Sequence, residues 1–227
     1  MSASLQAWET ERKRVEANRF ALLLRDILAH LPDTRMSEAI AQIAHAEAVP
    51  SSLLLAIVMI ESNRRPTYIR AIENLVFRAN LFCHRLLRLP LADLSVGPCQ
   101  IKVSTASGLL GLPFRRTGYA LTLGSTRQER HQCCAVLARL TNPDVNIRLA
   151  ARYLQHLSEG YGRSARTRRG TAAALAADMV IYVACHYNGL DVGDELVEDE
   201  IVSYPKLLAA LVRHLEARRH GRMAPAG

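Results

Sequence analysis

The sequence predicts an all-α or mainly α fold with an N-terminal helical extension. Apolar residues recur with the helical period along most of the chain, and we find no convincing run of alternating apolar and polar residues. Signals for helix starts and ends are separated by short, mostly polar loops. A chain of 227 residues with 49% hydrophobic and 22% charged residues has the composition of a globular protein. Disordered, collagen-like and small disulfide-rich proteins are therefore excluded.

The predicted helices follow one another from the N-terminus. A long amphipathic helix over about 4–31 comes first, and Pro32 and Asp33 end it. Further helices are predicted at about 36–47, 51–62, 68–88, 102–110, 127–140, 143–158, 171–188 and 203–219. The start at 143 is the clearest, because Asn142 provides a capping side chain and Pro143 fits the first turn.

Net charge, cysteine spacing and the length of apolar runs limit which partners and cofactors are expected. The formal net charge is +8, and Arg115 and Arg116 form one basic cluster in a predicted loop. This charge attracts an anionic partner, and nucleic acid, an anionic membrane surface and bacterial cell wall fit it equally well. The five cysteines lack CxxC spacing, so neither a disulfide framework nor a metal site is expected, and no cofactor is predicted. No apolar run approaches the roughly 18–20 residues of a membrane span.

An acidic residue lies on the apolar face of the predicted helix over 51–62. Glu61 follows Leu54, Ile57 and Val58 by seven, four and three residues, so its carboxylate falls on the buried face. Burial and the negative end of the helix dipole are both expected to raise the pKa of Glu61. A glutamic acid that stays protonated near neutral pH can act as a general acid. The alternatives are an ion pair with a following arginine, or a side chain rotated to solvent at the helix end.

Four sequence blocks that include Glu61 occur in a fixed order. They are VPSSLLLAIVMIES at Val49–Ser62, GPCQI at Gly97–Ile101, NIRLAARYL at Asn146–Leu154 and YNG at Tyr187–Gly189. Together they combine a helix-end Glu-Ser, a Gly-x-x-Gln turn, an Asn-Ile helix and a Tyr-Asn pair at a later helix end. In this combination the sequence resembles the lysozyme-like lytic transglycosylases, within the superfamily of soluble lytic transglycosylases and goose-type lysozymes.

The resemblance implies a lysozyme-like catalytic domain that acts on peptidoglycan glycan strands. The bond cleaved would be the β-1,4 bond between N-acetylmuramic acid and N-acetylglucosamine. Glu61 would be the sole catalytic carboxylate. It would protonate the glycosidic oxygen and then accept the proton of the sugar's own 6-hydroxyl, which gives a 1,6-anhydro product. The residues that the resemblance implies as substrate-binding or orienting are Ser62, Gly97, Gln100, Ile101, Asn146, Tyr187 and Asn188.

Several of these residues also have a purely structural interpretation. The hydroxyl of Ser62 either orients the site or caps the helix end. Tyr187 shares a predicted helix face with apolar residues, so its ring is expected to be buried. A buried tyrosine hydroxyl needs a hydrogen-bond partner. The resemblance implies Glu61 as that partner, and the alternative is a backbone hydrogen bond within the core. Asn146 and Asn188 are expected to be structural or to line the cleft rather than to act in catalysis.

The sequence departs from the family pattern at the Gly-x-x-Gln turn and in the stretch before it. The turn, usually Gly-Leu-Met-Gln, is Gly-Pro-Cys-Gln here, over Gly97–Gln100, which changes the expected wall of the site. The stretch before it is longer than usual, and its extra residues, about 68–91, are expected to form a helix that covers or narrows the cleft. Hydrolysis of the goose-lysozyme type stays open, with Asp93 as a second carboxylate that positions water. The alternative for Asp93 is a turn or capping role.

The resemblance also divides the chain. It implies a helical extension over 1–44, a transglycosylase domain over 45–190, and an acidic loop with a last helix over 191–227 that packs on the same domain. Two other classes of function fit parts of the sequence. A basic helical module that binds nucleic acid rests on charge alone, and with 5% aromatic residues and no helix-turn-helix signature no nucleic acid partner is expected. A glycan-binding domain without catalytic activity is the other class, and the presence of Glu61 argues against it.

The location of the protein follows from its N-terminal segment. This segment carries no secretory signal, so we expect synthesis in the cytoplasm. Action at the cell wall, in the periplasm, then requires phage delivery or non-classical export by a secretion machine. Besides the glycan strands, the expected partners are a carrier of that machine or an inhibitor or immunity protein.

Overall fold

The computed structural model describes residues 3–65, 67–165, 172–187, 204–219 and 221. These residues are mostly helical, which confirms the mainly α class. The chain divides into two compact units, one formed by Met1–Arg35 with Leu157–Gly227 and the other by Met36–His156. These boundaries differ from those expected at 44/45 and 190/191. The expected acidic loop over 191–200 and Asn188 lie outside the described residues.

The helices lie close to their predicted positions. In chain order they are α1 (Ala3–Ala29), α2 (Thr34–Ala46), α3 (Ser51–Arg64), α4 (Thr67–Leu87), α5 (Val103–Leu109), α6 (Arg127–Leu137), α7 (Pro143–Ala165), α8 (Ala172–Tyr187) and α9 (Tyr204–Arg219). A short 3₁₀ turn, Ala138–Thr141, follows α6. The predicted start of α7 is confirmed, because Asn142 Oδ1 accepts hydrogen bonds from the backbone N–H groups of Asp144 at 2.9 Å and Val145 at 3.3 Å.

The first unit is formed by helix packing. Helix α9 packs against α8 and α1. It buries an apolar face that includes Leu207, Leu208 and Leu211. Near the end of α7, the ring of Tyr161 lies 5.4 Å from the ring of Tyr182 on α8, centroid to centroid. Residues far apart in the chain therefore share this core.

Helix α3 contributes a nearly continuous run of buried side chains to the second unit. Almost every side chain of this helix from Leu53 to Ile60 is buried, so the helix is apolar on all sides rather than on one stripe. A helix of this kind must be enclosed by other elements.

No helix in the described part of the chain is long and apolar enough to cross a membrane.

Five short strands lie in the second unit, where the sequence predicted loops. Strands β1 (Leu91–Ala92), β4 (Phe114–Thr117) and β5 (Ala120–Leu123) form an antiparallel sheet in the order β1-β5-β4, and β2 (Ser95–Val96) pairs with β3 (Ile101–Lys102). The expectation that Arg115 and Arg116 lie in a loop is wrong, since both lie in β4. Every residue of β4 is exposed, so the strand carries no alternating apolar pattern.

Helix α4 holds this sheet with a buried histidine. His84 Nδ1 lies 2.6 Å from the Leu89 carbonyl oxygen, and His84 Nε2 accepts the Leu123 backbone N–H at 3.2 Å. Because Nε2 accepts a hydrogen bond, Nδ1 is the nitrogen that donates to the Leu89 carbonyl. The side chain thereby joins the end of α4 to strand β5.

We expect His84→Ala to lower the free energy of unfolding by about 1–3 kcal/mol, because the buried Leu123 N–H loses its acceptor. The measurement is urea denaturation followed by circular dichroism. The control is His45→Ala, since the His45 side chain is exposed on α2. An equal loss of stability in both variants would contradict the assigned role of His84.

Candidate active site

Glu61 lies in the last turn of α3 and its side chain is turned inward. Only 7% of the residue is exposed, and Ile57 and Leu54, one and two turns earlier on the same face, are fully buried. The spacing of the apolar residues thus predicted its burial correctly. The alternative of a side chain rotated to solvent is excluded by the same exposure value.

The Gly-Pro-Cys-Gln block forms the turn of a β-hairpin. It connects β2 to β3, and the backbone N–H of Gln100 donates to the Gly97 carbonyl at 3.1 Å, which closes the turn. Gly97 has φ of +77°, and a Cβ at this position would lie 2.4 Å from the side chain of Asn146. Both the backbone angle and the close approach therefore require glycine.

Asn146 on α7 holds this turn in place through its side chain. It is fully buried, its Oδ1 accepts the Cys99 backbone N–H at 2.9 Å, and its Nδ2 donates to the Val96 carbonyl at 2.8 Å. The side chain satisfies two backbone groups that the hairpin leaves unpaired. The structure therefore gives Asn146 a structural role at the turn, one of the two roles that the sequence predicts for it.

The turn lies within electrostatic reach of Glu61. Burial raises the pKa of the Cys99 thiol, and the negative charge of Glu61 raises it further. The second effect requires the Glu61 carboxylate to be near the Cys99 side chain. Cys99 therefore stays a thiol and is unsuited to act as a nucleophile. The turn of the second sequence block therefore lies within electrostatic reach of the buried acid of the first block.

Gln100, which follows Cys99 in the turn, is held in an uncommon backbone conformation. Its φ of +51° lies in the left-handed region, which is unfavourable for a residue with a side chain. Its Nε2 donates to the Gly97 carbonyl at 2.9 Å and to Glu73 Oε2 at 3.4 Å. Its Oε1 is buried and, among the described residues, has no hydrogen-bond partner.

Glu73 on α4 is a site residue that the sequence analysis missed. Its carboxylate contacts Gln100 through Oε2 and forms an ion pair with Arg65 through Oε1. Arg65 is therefore paired with Glu73 in this structure. A sequence signal was present, since Glu73 precedes Phe77 and Leu81, both buried on α4, by four and eight residues. The helix over the extra residues was predicted, but not the carboxylate that it brings to the turn.

The carboxylate of Asp93 accepts hydrogen bonds from Ser104 and lies near Arg116. Its side chain is 2% exposed, its Oδ1 accepts the backbone N–H of Ser104 at 2.8 Å, and its Oδ2 accepts the hydroxyl of Ser104 at 2.8 Å. The guanidinium of Arg116 lies 3.7 Å from Oδ2. Asp93 thereby caps the first turn of α5, the capping role that the sequence left open for it.

The remaining predicted residues are spread over both units. Ser62 is half-buried beside Glu61, and Ile101 is buried in β3. Tyr187 is half-buried at the end of α8 in the other unit, so its predicted bond to Glu61 stays a prediction. Asn188 lies outside the described residues. The described residues contain no group of three or more His, Cys, Asp or Glu side chains that could hold a metal ion.

The site thus combines a buried carboxyl group with an unpartnered amide acceptor. A carboxyl group can donate and accept a proton, and an amide oxygen can bind an N–H or O–H group of a ligand. Comparisons with protein families, with curated proteins and with solved structures found no match to this chain. The chemistry of these side chains and the resemblance of the four blocks therefore carry the functional assignment.

Proposed function

We propose that this protein is a peptidoglycan lytic transglycosylase in which Glu61 is the general acid and then the general base. The observation that carries the proposal is the burial of Glu61 within electrostatic reach of Cys99, in the turn that presents Gln100. A carboxyl group buried at an apolar helix end is the kind of group that general acid–base chemistry at neutral pH needs. The lysozyme-like fold is part of the proposal.

In the proposed reaction, Glu61 donates its proton to the glycosidic oxygen between N-acetylmuramic acid and N-acetylglucosamine. The bond from the anomeric carbon to this oxygen breaks, and the acetamido group of the substrate supports the positive charge that develops at the anomeric carbon. The oxygen of the sugar's own 6-hydroxyl then bonds to the anomeric carbon. Glu61 accepts the proton of that hydroxyl and returns to its starting state, so no water is consumed.

The contacts of Asp93 favour this outcome over hydrolysis. Positioning a water molecule requires a carboxylate oxygen that water can reach, and the Asp93 side chain is only 2% exposed. Both oxygens of Asp93 already accept hydrogen bonds from Ser104, and Arg116 lies beside one of them. A second carboxylate that positions water is therefore not part of the proposed mechanism.

Digestion of purified peptidoglycan in heavy-oxygen water tests the proposed reaction. We expect fragments with 1,6-anhydro ends, each lighter by one water than a hydrolysis product and free of the heavy isotope. Reducing ends that carry the heavy oxygen would show hydrolysis and bring Asp93 back as a candidate. Release of no fragments would contradict both reactions.

The charge of the protein supports a cell-wall substrate as part of the proposal. The formal net charge of +8 attracts the acidic groups of peptidoglycan and its attached polymers. Delivery to the periplasm by a phage or a secretion machine, and a carrier or immunity protein as partner, belong to the same proposal. Nucleic acid is not proposed as a partner.

A further inference from the structure

Two acceptors fix the orientation of the Gln100 amide. The Gly97 carbonyl and the Glu73 carboxylate both face Nε2, at 2.9 and 3.4 Å. A carboxylate paired with a guanidinium and a carbonyl can only accept hydrogen bonds, so the amide group must turn its NH₂ towards them. The same geometry forces Oε1 to the opposite side. Without Glu73, one of the two contacts that oppose a flip of the amide would be lost.

Glu73 is itself held in place. Arg65 follows the end of α3, and its guanidinium pairs with Oε1 of Glu73 while Oε2 contacts Gln100. The Glu73 side chain is three-quarters buried, and that of Arg65 is 40% exposed. The chain of contacts from Arg65 through Glu73 to Gln100 therefore joins the end of the helix that carries Glu61 to the hairpin turn.

The orientation leaves one strong acceptor unsatisfied. Oε1 of Gln100 is buried and has no hydrogen-bond partner in the part of the chain that the structure describes. A buried acceptor without a donor is unfavourable, and the left-handed backbone of Gln100 adds to this cost. A ligand that brings an N–H or O–H group to Oε1 would supply the missing hydrogen-bond donor.

We propose that Glu73 is a positioning residue, which holds the Gln100 amide so that Oε1 accepts a hydrogen bond from an N-acetylated sugar of the glycan. This inference rests on the proposed function for its ligand class. It also assigns a role to α4, the helix formed by the extra residues before the turn. This helix supplies the carboxylate that orients the Gln100 amide.

Binding of a soluble tetramer of N-acetylglucosamine, measured by calorimetry, tests the proposal without turnover. All proteins carry Glu61→Gln, so that cleavage does not interfere. Relative to this background, Gln100→Ala is expected to weaken binding about threefold to tenfold, the value of one hydrogen bond. Glu73→Gln is expected to weaken binding by a similar factor, because the amide can then present Nε2 to the sugar.

The combination of both substitutions separates positioning from a general structural effect. If Glu73 acts through Gln100, adding Glu73→Gln to Gln100→Ala causes no further loss of affinity. The matched control is Glu47→Gln, which removes another arginine-paired carboxylate of the same unit and is expected to leave binding unchanged. Arg65→Gln serves as a second variant, with an expected loss that is likewise absent in the Gln100→Ala background.

Several results would overturn the inference. These are unchanged affinity in both Glu73→Gln and Arg65→Gln, losses that add to that of Gln100→Ala, or no binding of the tetramer at all. The proposed function fails separately: binding that depends on Glu73, together with no fragment release from peptidoglycan by the parent protein, would refute the cleavage reaction and leave the positioning role intact.

Discussion

Replacing Glu61 with glutamine is expected to lower the rate of peptidoglycan cleavage by about 100-fold to 10,000-fold, the usual contribution of general acid–base catalysis. Glutamine has the same shape as glutamate but can neither donate nor accept the proton. Because Glu61 is 7% exposed, a neutral side chain is also easier to bury there, so stability is not expected to fall. The measurement is the initial rate of release of soluble fragments, with the unfolding midpoint as a check of the fold.

The matched control for Glu61→Gln is Glu47→Gln. Glu47 follows α2, and its carboxylate contacts Arg148 at 3.5 Å and Arg152 at 3.2 Å on α7, so it is a paired acid in the same unit. Its replacement is expected to leave the rate within about a factor of two, because in the described part of the chain its carboxylate contacts Arg148 and Arg152 rather than residues of the candidate site. Glu61→Gln with more than about a tenth of the parent rate would rule out the assigned role of Glu61.

Gly97→Ala is expected to lower the free energy of unfolding by about 3 kcal/mol or more. The left-handed backbone alone costs a residue with a Cβ about 1–2 kcal/mol. In addition, the new Cβ would lie 2.4 Å from the Asn146 side chain, which must then leave its hydrogen bonds to Cys99 and Val96. Loss of these buried bonds accounts for the remainder.

Gly118→Ala separates the two contributions. Gly118 lies between β4 and β5 with φ of +61°, and nothing lies within 4 Å of an added Cβ. Its replacement is therefore expected to cost only the backbone term of about 1–2 kcal/mol. Both glycines belong to the second unit, so urea denaturation of the two variants reports on the same cooperative structure. Equal losses would contradict the role of the Asn146 contact at Gly97.

The helices were predictable because each carries a local signal. The 3.6-residue period, Pro32 after α1 and the cap at Asn142 are all properties of neighbouring residues. The paired strands β2 and β3 were not predictable in this way. Each has two residues, which is too short for an alternating pattern, and the pairing depends on the turn that Asn146 holds from a distant helix.

The candidate site shows the same division. The burial of Glu61 follows from its spacing to apolar residues of its own helix, so the sequence was sufficient. The contact of Glu73 with Gln100 joins residues 27 positions apart, and no local pattern encodes it. The same applies to Asp93, whose carboxylate caps a helix eleven residues later. Such contacts depend on how the elements pack, which periodicity alone does not specify.

In the proposed reaction, Glu61 cleaves the glycan without consuming water. The deciding measurement is the mass spectrum of fragments released from purified peptidoglycan by the parent protein and by Glu61→Gln, digested side by side. We expect 1,6-anhydro ends with the parent protein and their loss with Glu61→Gln. Anhydro fragments in equal yield from both proteins, or no fragments from the parent, would contradict it.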